Sequence, residues 1–316
     1  GNEVAVVHDK PPRPVDPITT TLDSGIQNAA ESAVDPIPEA AMIVAMRPSN
    51  GEVVAVAQNG PADEQGPIAL SGQYPPGCAF KNVTAESALN SGSMNKDTPV
   101  QCPAKKTFNG REIPNDHDFE LGQTPLIKAF AESCNTTFAQ LATDQPADAL
   151  TKTARQFGVG VDFDMPGSIT ITGDVPPAEE TVLRAANGIG QGKVVASPFG
   201  MALASASVVN GSMPTPKLIE GAETKADHEP APLSPEMVRQ LKPMMRDVVQ
   251  SGTAKGLSGS GAVSGKTGTA QYGDGKKAHG WFVGFRDDLS FAVLLTDAGS
   301  SKPAVATTRA FLDQLP

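Results

Sequence analysis

Val263-Ser264-Gly265-Lys266-Thr267-Gly268-Thr269-Ala270-Gln271-Tyr272 reads as a strand, and two further runs follow closely, Gly280 to Arg286 and Ser290 to Thr296. Three such runs so near one another in sequence predict an antiparallel meander. The opposite end of the chain carries the same signal. Ala41 to Arg47 and Val53 to Ala57 are apolar, strand-like runs joined by Pro48-Ser49-Asn50-Gly51, whose Asn-Gly step favours a tight hairpin. Strand signals thin out between these ends. From Ser71 to Val182 short Ala-rich helical segments alternate with Gly, Pro and Asn loops. The expectation is an α+β fold whose sheet is assembled from both ends of the chain, with a mostly helical subdomain, roughly residues 82–230, inserted between them.

Other elements complete this outline. Val7 to Pro17 is rich in Pro and charge and reads as an extended lead-in, so residues 1–17 are set apart from a main domain of 18–316. Ile18 to Val34 reads as a short strand running into a helix capped by Asp23 or Ser24. Met201 to Val209 is a small-residue helix, and Ala222 to Pro232 an exposed loop. Ser234-Pro235 opens a helix as N-cap and first helical residue, with a kink expected at Pro243. Pro303 to Leu315 closes the chain as a helix.

Composition bounds the function. The chain has 316 residues, 39% hydrophobic and 19% charged, which suits a globular protein with a sizeable core. Its formal net charge of -10 argues against a nucleic-acid partner, because a phosphate backbone is repelled overall. No apolar run reaches the ~20 residues that a membrane span needs. Gly1 followed by polar sequence is how the mature region of a longer, anchored or secreted protein begins, although composition alone equally fits a cytosolic chain. Three cysteines without a C-x-x-C pair, and four scattered histidines, argue against a metal site. The odd cysteine count allows three free thiols or one disulfide with one free thiol. In an oxidising compartment Cys102–Cys134 is the preferred pair, since it leaves Cys78 free.

Three short motifs carry chemistry. Cys78 and Lys81 stand three residues apart after Tyr74-Pro75-Pro76-Gly77, so a helix is expected to begin at about Cys78 and present both on one face. A thiol at a helix start beside an ammonium is set up as a nucleophile. Ser133-Cys134-Asn135 supplies a hydroxyl able to relay protons and an amide able to hold a carbonyl. Lys266-Thr267-Gly268-Thr269 lies in the predicted strand Ser264 to Gln271, with a cation and two hydroxyls suited to a carboxylate. Each motif alone has an ordinary structural explanation. Their order and combination do not.

The set resembles the S-x-x-K, S-x-N and K-T-G motifs of penicillin-binding proteins and active-site-serine β-lactamases. The likeness extends to Tyr74 through Lys81, to Gly188-Ile189-Gly190-Gln191-Gly192 with Ser197-Pro198, to Ser251-Gly252-Thr253-Ala254, and to His279-Gly280-Trp281-Phe282-Val283-Gly284-Phe285. The chain is similar to the transpeptidase domain of a class B penicillin-binding protein of actinobacterial type, with Cys78 where the family has its serine. The resemblance implies the transpeptidase fold and a catalytic group of Cys78, Lys81, Ser133, Asn135 and Lys266. It implies substrate binding by Thr267, Gly268 and Thr269, an oxyanion hole from the backbone N–H groups of Cys78 and Thr269, and no cofactor. It implies D-Ala-D-Ala stem peptides of peptidoglycan as substrates, β-lactams as mimics, and divisome or elongasome proteins as partners. It also implies an extracytoplasmic location, with a membrane anchor in a preceding segment. A β-lactam sensor, a non-catalytic cell-wall scaffold and a serine-type β-lactamase are the alternatives. The last needs a water-activating group, and Glu120, Glu132, Glu179 and Glu180 sit in no motif that supplies one.

Overall fold

The computed structural model describes residues 15–273 and 275–316. Most of the expected lead-in, Val7 to Pro17, lies outside the described residues. The expected strand at Ile18 is a single bridge between Thr20 and Ile219. The first helix, α1 (Ser24–Val34), begins where Asp23 accepts hydrogen bonds from the Gly25 and Ile26 N–H groups, so Asp23 is the cap.

The sheet is built from both ends of the chain. Strands β1 (Ala41–Met46) and β2 (Val53–Gln58) form the N-terminal hairpin, and β3 (Ser264–Tyr272), β4 (Lys277–Arg286) and β5 (Leu289–Leu295) form the meander. The order is β3-β4-β5-β1-β2, antiparallel throughout. Every residue of β1 and β5 is buried. Successive side chains point to opposite faces, so the middle of the sheet is covered on both sides, and those strands read as continuous apolar runs.

Between β2 and β3 lie α2 (Lys81–Leu89), α3 (Leu126–Ala131), α4 (Asn135–Thr143), α5 (Thr181–Gly188), α6 (Pro198–Asn210) and α7 (Pro235–Gln250). The helix α6 packs against β1, β4 and β5 and is buried from Pro198 to Val208. Its near-uniform apolar and small-residue composition follows from that position. The chain ends in α8 (Lys302–Asp313), which packs with α1 against the sheet. Ser234 and Pro235 open α7 as expected, and the helix runs on through Pro243.

Three local readings need correction. The helix expected from Cys78 is a 3₁₀ turn, Gly77–Phe80, that becomes α-helical only at Lys81. The helical insert contains two small antiparallel ladders, Pro99–Cys102 with Gly122–Pro125 and Lys105–Phe108 with Arg111–Pro114. These strands are four residues long and largely exposed, so hydrophobic alternation is too brief to reveal them. Asn109-Gly110, with φ of 44° and 87°, was the available hairpin signal. Within the expected loop Ala222–Pro232, Lys225–Ala226 pairs with Phe163–Asp164.

Candidate active site

The site forms where the 3₁₀ turn, the α3–α4 junction and β3 converge. β3 is the sheet's outer strand, and its Gly268 faces the turn. A Cβ on Gly268 would come 2.6 Å from Pro76 O and 3.0 Å from the Ala79 backbone nitrogen. Only a residue without a side chain permits that approach. Trp281, opposite Gly268 on β4, donates from Nε1 to Pro75 O at 3.0 Å and anchors the segment leading into the turn.

Ser133 owes its position to a helix end. After α3 the Ser133 N–H donates to Phe130 O at 3.0 Å and the Cys134 N–H to Ala129 O at 2.8 Å. This is a Schellman cap with Ser133 in its left-handed position, φ 63°. Glycine is the usual occupant, and an L-residue there stores strain. Asn135 then opens α4. Asn115 Oδ1 accepts from the Asn135 N–H at 2.8 Å and the Thr136 N–H at 3.2 Å, satisfying two orphan donors at that helix start. Nothing in the sequence separates Asn115 from other loop asparagines, and its positioning role emerges only in three dimensions. Cys102 and Cys134 form a disulfide, which ties the Ser133-Cys134-Asn135 segment to the neighbouring ladder and leaves Cys78 as the free thiol.

The expected catalytic side chains meet in one cluster. Lys81 Nζ lies 3.3 Å from Cys78 Sγ, 3.1 Å from Ser133 Oγ, 2.8 Å from Ser133 O and 2.7 Å from Asn135 Oδ1. Lys266 Nζ donates to Ser133 Oγ at 2.9 Å. Both lysines are fully buried, and each ammonium also sits 5.6 Å from an aromatic ring centroid, Lys81 at Phe138 and Lys266 at Phe130. On β3, Thr267 Oγ1 shares a 2.6 Å hydrogen bond with Thr253 Oγ1, and Thr269 Oγ1 accepts from the Ser301 N–H at 3.1 Å. Thr253 thus joins the site through the hydrogen bond between its hydroxyl and that of Thr267. Among the described residues, no group of three or more His, Cys, Asp or Glu side chains is placed to hold a metal ion.

Burial and charge compete in this cluster. Desolvation alone pushes the Cys78 thiol up, but the ammoniums of Lys81 and Lys266, with hydrogen bonds from Ser133 and Lys81, outweigh it and bring it down to about 7. Burial lowers Lys81, opposed by the Cys78 charge. Burial also brings Lys266 down to about 7, with the Cys78 charge opposing and that of Lys81 adding to the fall. Cys78 and Lys266 are thereby both brought towards neutral pH, a feature that clusters at functional sites.

An ionisable thiol beside a buried amine, with a hydroxyl bonded to both that amine and a second lysine on a sheet-edge strand, is an arrangement suited to covalent catalysis. The profile of the penicillin binding protein transpeptidase domain matches residues 41–313, and the chain belongs to that family. It is 26% identical over 317 residues to the peptidoglycan D,D-transpeptidase PbpA of Mycobacterium tuberculosis, covering 85% of this chain and 64% of the relative. It is 30% identical over 254 residues to penicillin-binding protein 3 of Bacillus subtilis, covering 70% of this chain and 36% of that protein. The chain therefore spans just under two thirds of its mycobacterial relative. The fold is shared with a D,D-transpeptidase domain from Eggerthella lenta, at TM-score 0.81 and 24% identity, covering 94% of this chain and 82% of that one. It is shared equally with the penicillin G acyl-enzyme complex of M. tuberculosis penicillin-binding protein A, at TM-score 0.79 and 24% identity, covering 94% and 80%.

Proposed function

We propose that this chain is the acyl-transferring domain of a class B peptidoglycan D,D-transpeptidase that uses Cys78 as its nucleophile. The observation that carries the reading is the single hydrogen-bonded cluster in which Lys81 reaches Cys78, Ser133 and Asn135 at once.

In this mechanism the Cys78 thiol passes its proton to Lys81 and its sulfur attacks the carbonyl carbon of the penultimate D-Ala. The backbone N–H groups of Cys78 and Thr269 hold the oxyanion. Asn135 holds the substrate amide, and Lys266 with Thr267 and Thr269 holds the terminal carboxylate. The Ser133 hydroxyl, hydrogen-bonded by both lysines, protonates the departing nitrogen as the C–N bond breaks and D-Ala leaves. A thioester remains. The amine of a second stem peptide attacks it, surrenders a proton through the same hydroxyl, and expels Cys78 as the thiolate. β-Lactams are amide mimics of the donor and acylate the same sulfur. Sulfur is larger than oxygen, which shifts the attacking atom relative to a pocket shaped for serine, and small misplacements cost ~100-fold in rate. Slow β-lactam acylation is the expected consequence.

The M. tuberculosis relative is named a peptidoglycan D,D-transpeptidase, and one fold neighbour belongs to a peptidoglycan synthase complex. By that analogy this domain works on the wall outside the cytoplasm, beside cell-division or elongation proteins. Among the described residues no helix is long and apolar enough to span a bilayer; by the same analogy a membrane anchor would lie outside them.

The test is intact mass after incubation with a penicillin, for this chain and a Cys78→Ser variant. A single adduct on both, mapped to residue 78 and forming faster on serine, is expected. No adduct on either overturns the reading in favour of a scaffold. Steady hydrolysis of a chromogenic β-lactam overturns it in favour of a β-lactamase.

A further inference from the structure

One end of the free edge of β3 is closed by a side chain. β3 pairs with β4 in unbroken register from Ser264–Phe285 to Tyr272–Lys277. Gln191 reaches the end of that strand, its carboxamide nitrogen donating to Gln271 O at 3.0 Å and its oxygen accepting from the Gln271 N–H at 3.1 Å. These two partners set the amide's orientation, since the reverse would bring oxygen to oxygen and nitrogen to nitrogen. The side chain thus imitates the main chain of an added strand.

The contact reveals the polarity of the whole edge. In an antiparallel ladder the N–H and C=O of one residue point to the same side, and successive residues alternate. Gln271 directs both groups away from β4, so Thr269 and Thr267, two and four residues earlier in the same register, do so too. Thr267 O already accepts from Lys266 Nζ at 3.2 Å. Thr269 lies between the two closures with its N–H and C=O on the open edge. Gly77, at φ 53°, keeps it open, because a Cβ there would lie 2.5 Å from Thr269 O.

We infer that Gln191 is a specificity-determining residue: by occupying Gln271, it confines strand-like pairing of an acyl-donor peptide to Thr269. The inference rests on the proposed function, which places the donor's carboxylate at Lys266 and Thr267 and its penultimate residue beside Thr269. The donor chain then runs towards Gln271. Its next main-chain pair, two residues further from the carboxylate, falls where the Gln191 carboxamide already sits. A longer stem peptide must leave the strand at that point, and recognition is concentrated on its last three residues.

The experiment measures D-Ala release, with glycinamide supplied as acceptor amine, from two donors, an N-acetylated dipeptide and an N-acetylated, α-linked linear pentapeptide, both ending in D-Ala-D-Ala. The unaltered chain is compared with Gln191→Ala and with Gln191→Met, which keeps side-chain length but offers Gln271 no comparable partner. Vacating Gln271 is expected to lower the ratio of pentapeptide KM to dipeptide KM by roughly threefold to tenfold, the worth of one or two main-chain hydrogen bonds. An unchanged ratio in both variants, including equal losses for both donors, overturns the inference and reduces Gln191 to a structural tie. No D-Ala release from either donor by the unaltered chain overturns the proposed function itself, and this inference with it.

Discussion

Lys266 Nζ lies 2.9 Å from Ser133 Oγ across 133 residues of sequence, and Lys81 Nζ reaches the same hydroxyl from the other side at 3.1 Å. The hydroxyl is thereby held between two buried amines, on a residue whose backbone occupies a left-handed conformation. In the proposed mechanism, function and stability are opposed at this one position.

Ser133→Gly separates the two. Glycine relaxes the left-handed cap, so Ser133→Gly is expected to be more stable to denaturant than Ser133→Ala, which loses the same hydroxyl, by up to about 1 kcal/mol. Loss of the hydroxyl removes the proton relay, and acylation by a penicillin is expected to slow by ~100-fold or more. Ser133→Ala should lose the same activity. Chemical denaturation and intact-mass time courses on both variants check this, and equal stability of the two would refute the strain.

The acylation rate should rise with pH through about 7, because the Cys78 thiolate forms above that value. Carboxylate binding should move the other way. Lys266, also brought down to about 7, loses its charge above it, so KM for a D-Ala-terminated donor should increase as pH rises. Separate kcat and KM profiles between pH 5.5 and 9 test the two signs. A rising kcat limb that persists unchanged in Cys78→Ser would assign the ionisation to another group.

Gly268→Ala should disable the site without touching a reacting atom. The added methyl group meets Pro76 O and the Ala79 nitrogen, both backbone atoms of the segment carrying Cys78, so the turn must move. A displacement of about 1 Å at a nucleophile costs ~100-fold in rate. Penicillin acylation of the variant, with circular dichroism to verify folding, measures it.

Removing the Cys102–Cys134 disulfide, as Cys102→Ala with Cys134→Ala, should cost about 2–4 kcal/mol of stability. It should also slow acylation, because Cys134 stands between Ser133 and Asn135. Thermal unfolding and acylation kinetics are the two readouts. Unaltered acylation alongside lowered stability would show that the Asn115 contacts alone hold the segment.

Much of this arrangement is legible in the chain itself. Nearly continuous apolar runs at Ala41–Met46 and Leu289–Leu295 specify a sheet built from both ends, because burial on both faces demands apolar residues at consecutive positions. The motifs around Cys78, Ser133 and Lys266 are legible because each is a short run whose chemistry does not depend on its surroundings for recognition. The preferred cysteine pair is also the one that forms. What tertiary structure alone decides is proximity and its energetic consequences. Asn115, Thr253 and Gln191 act through contacts with residues 14 or more positions away, and no local pattern announces such contacts. The close approach of β3 to the turn carrying Cys78 depends on Gly268 having no side chain. The lowered pKa of Cys78 depends on two ammoniums that sequence places 3 and 188 residues away and folding brings into one buried cluster. Sequence names the chemical groups; long-range packing sets their distances, and the distances set their reactivity.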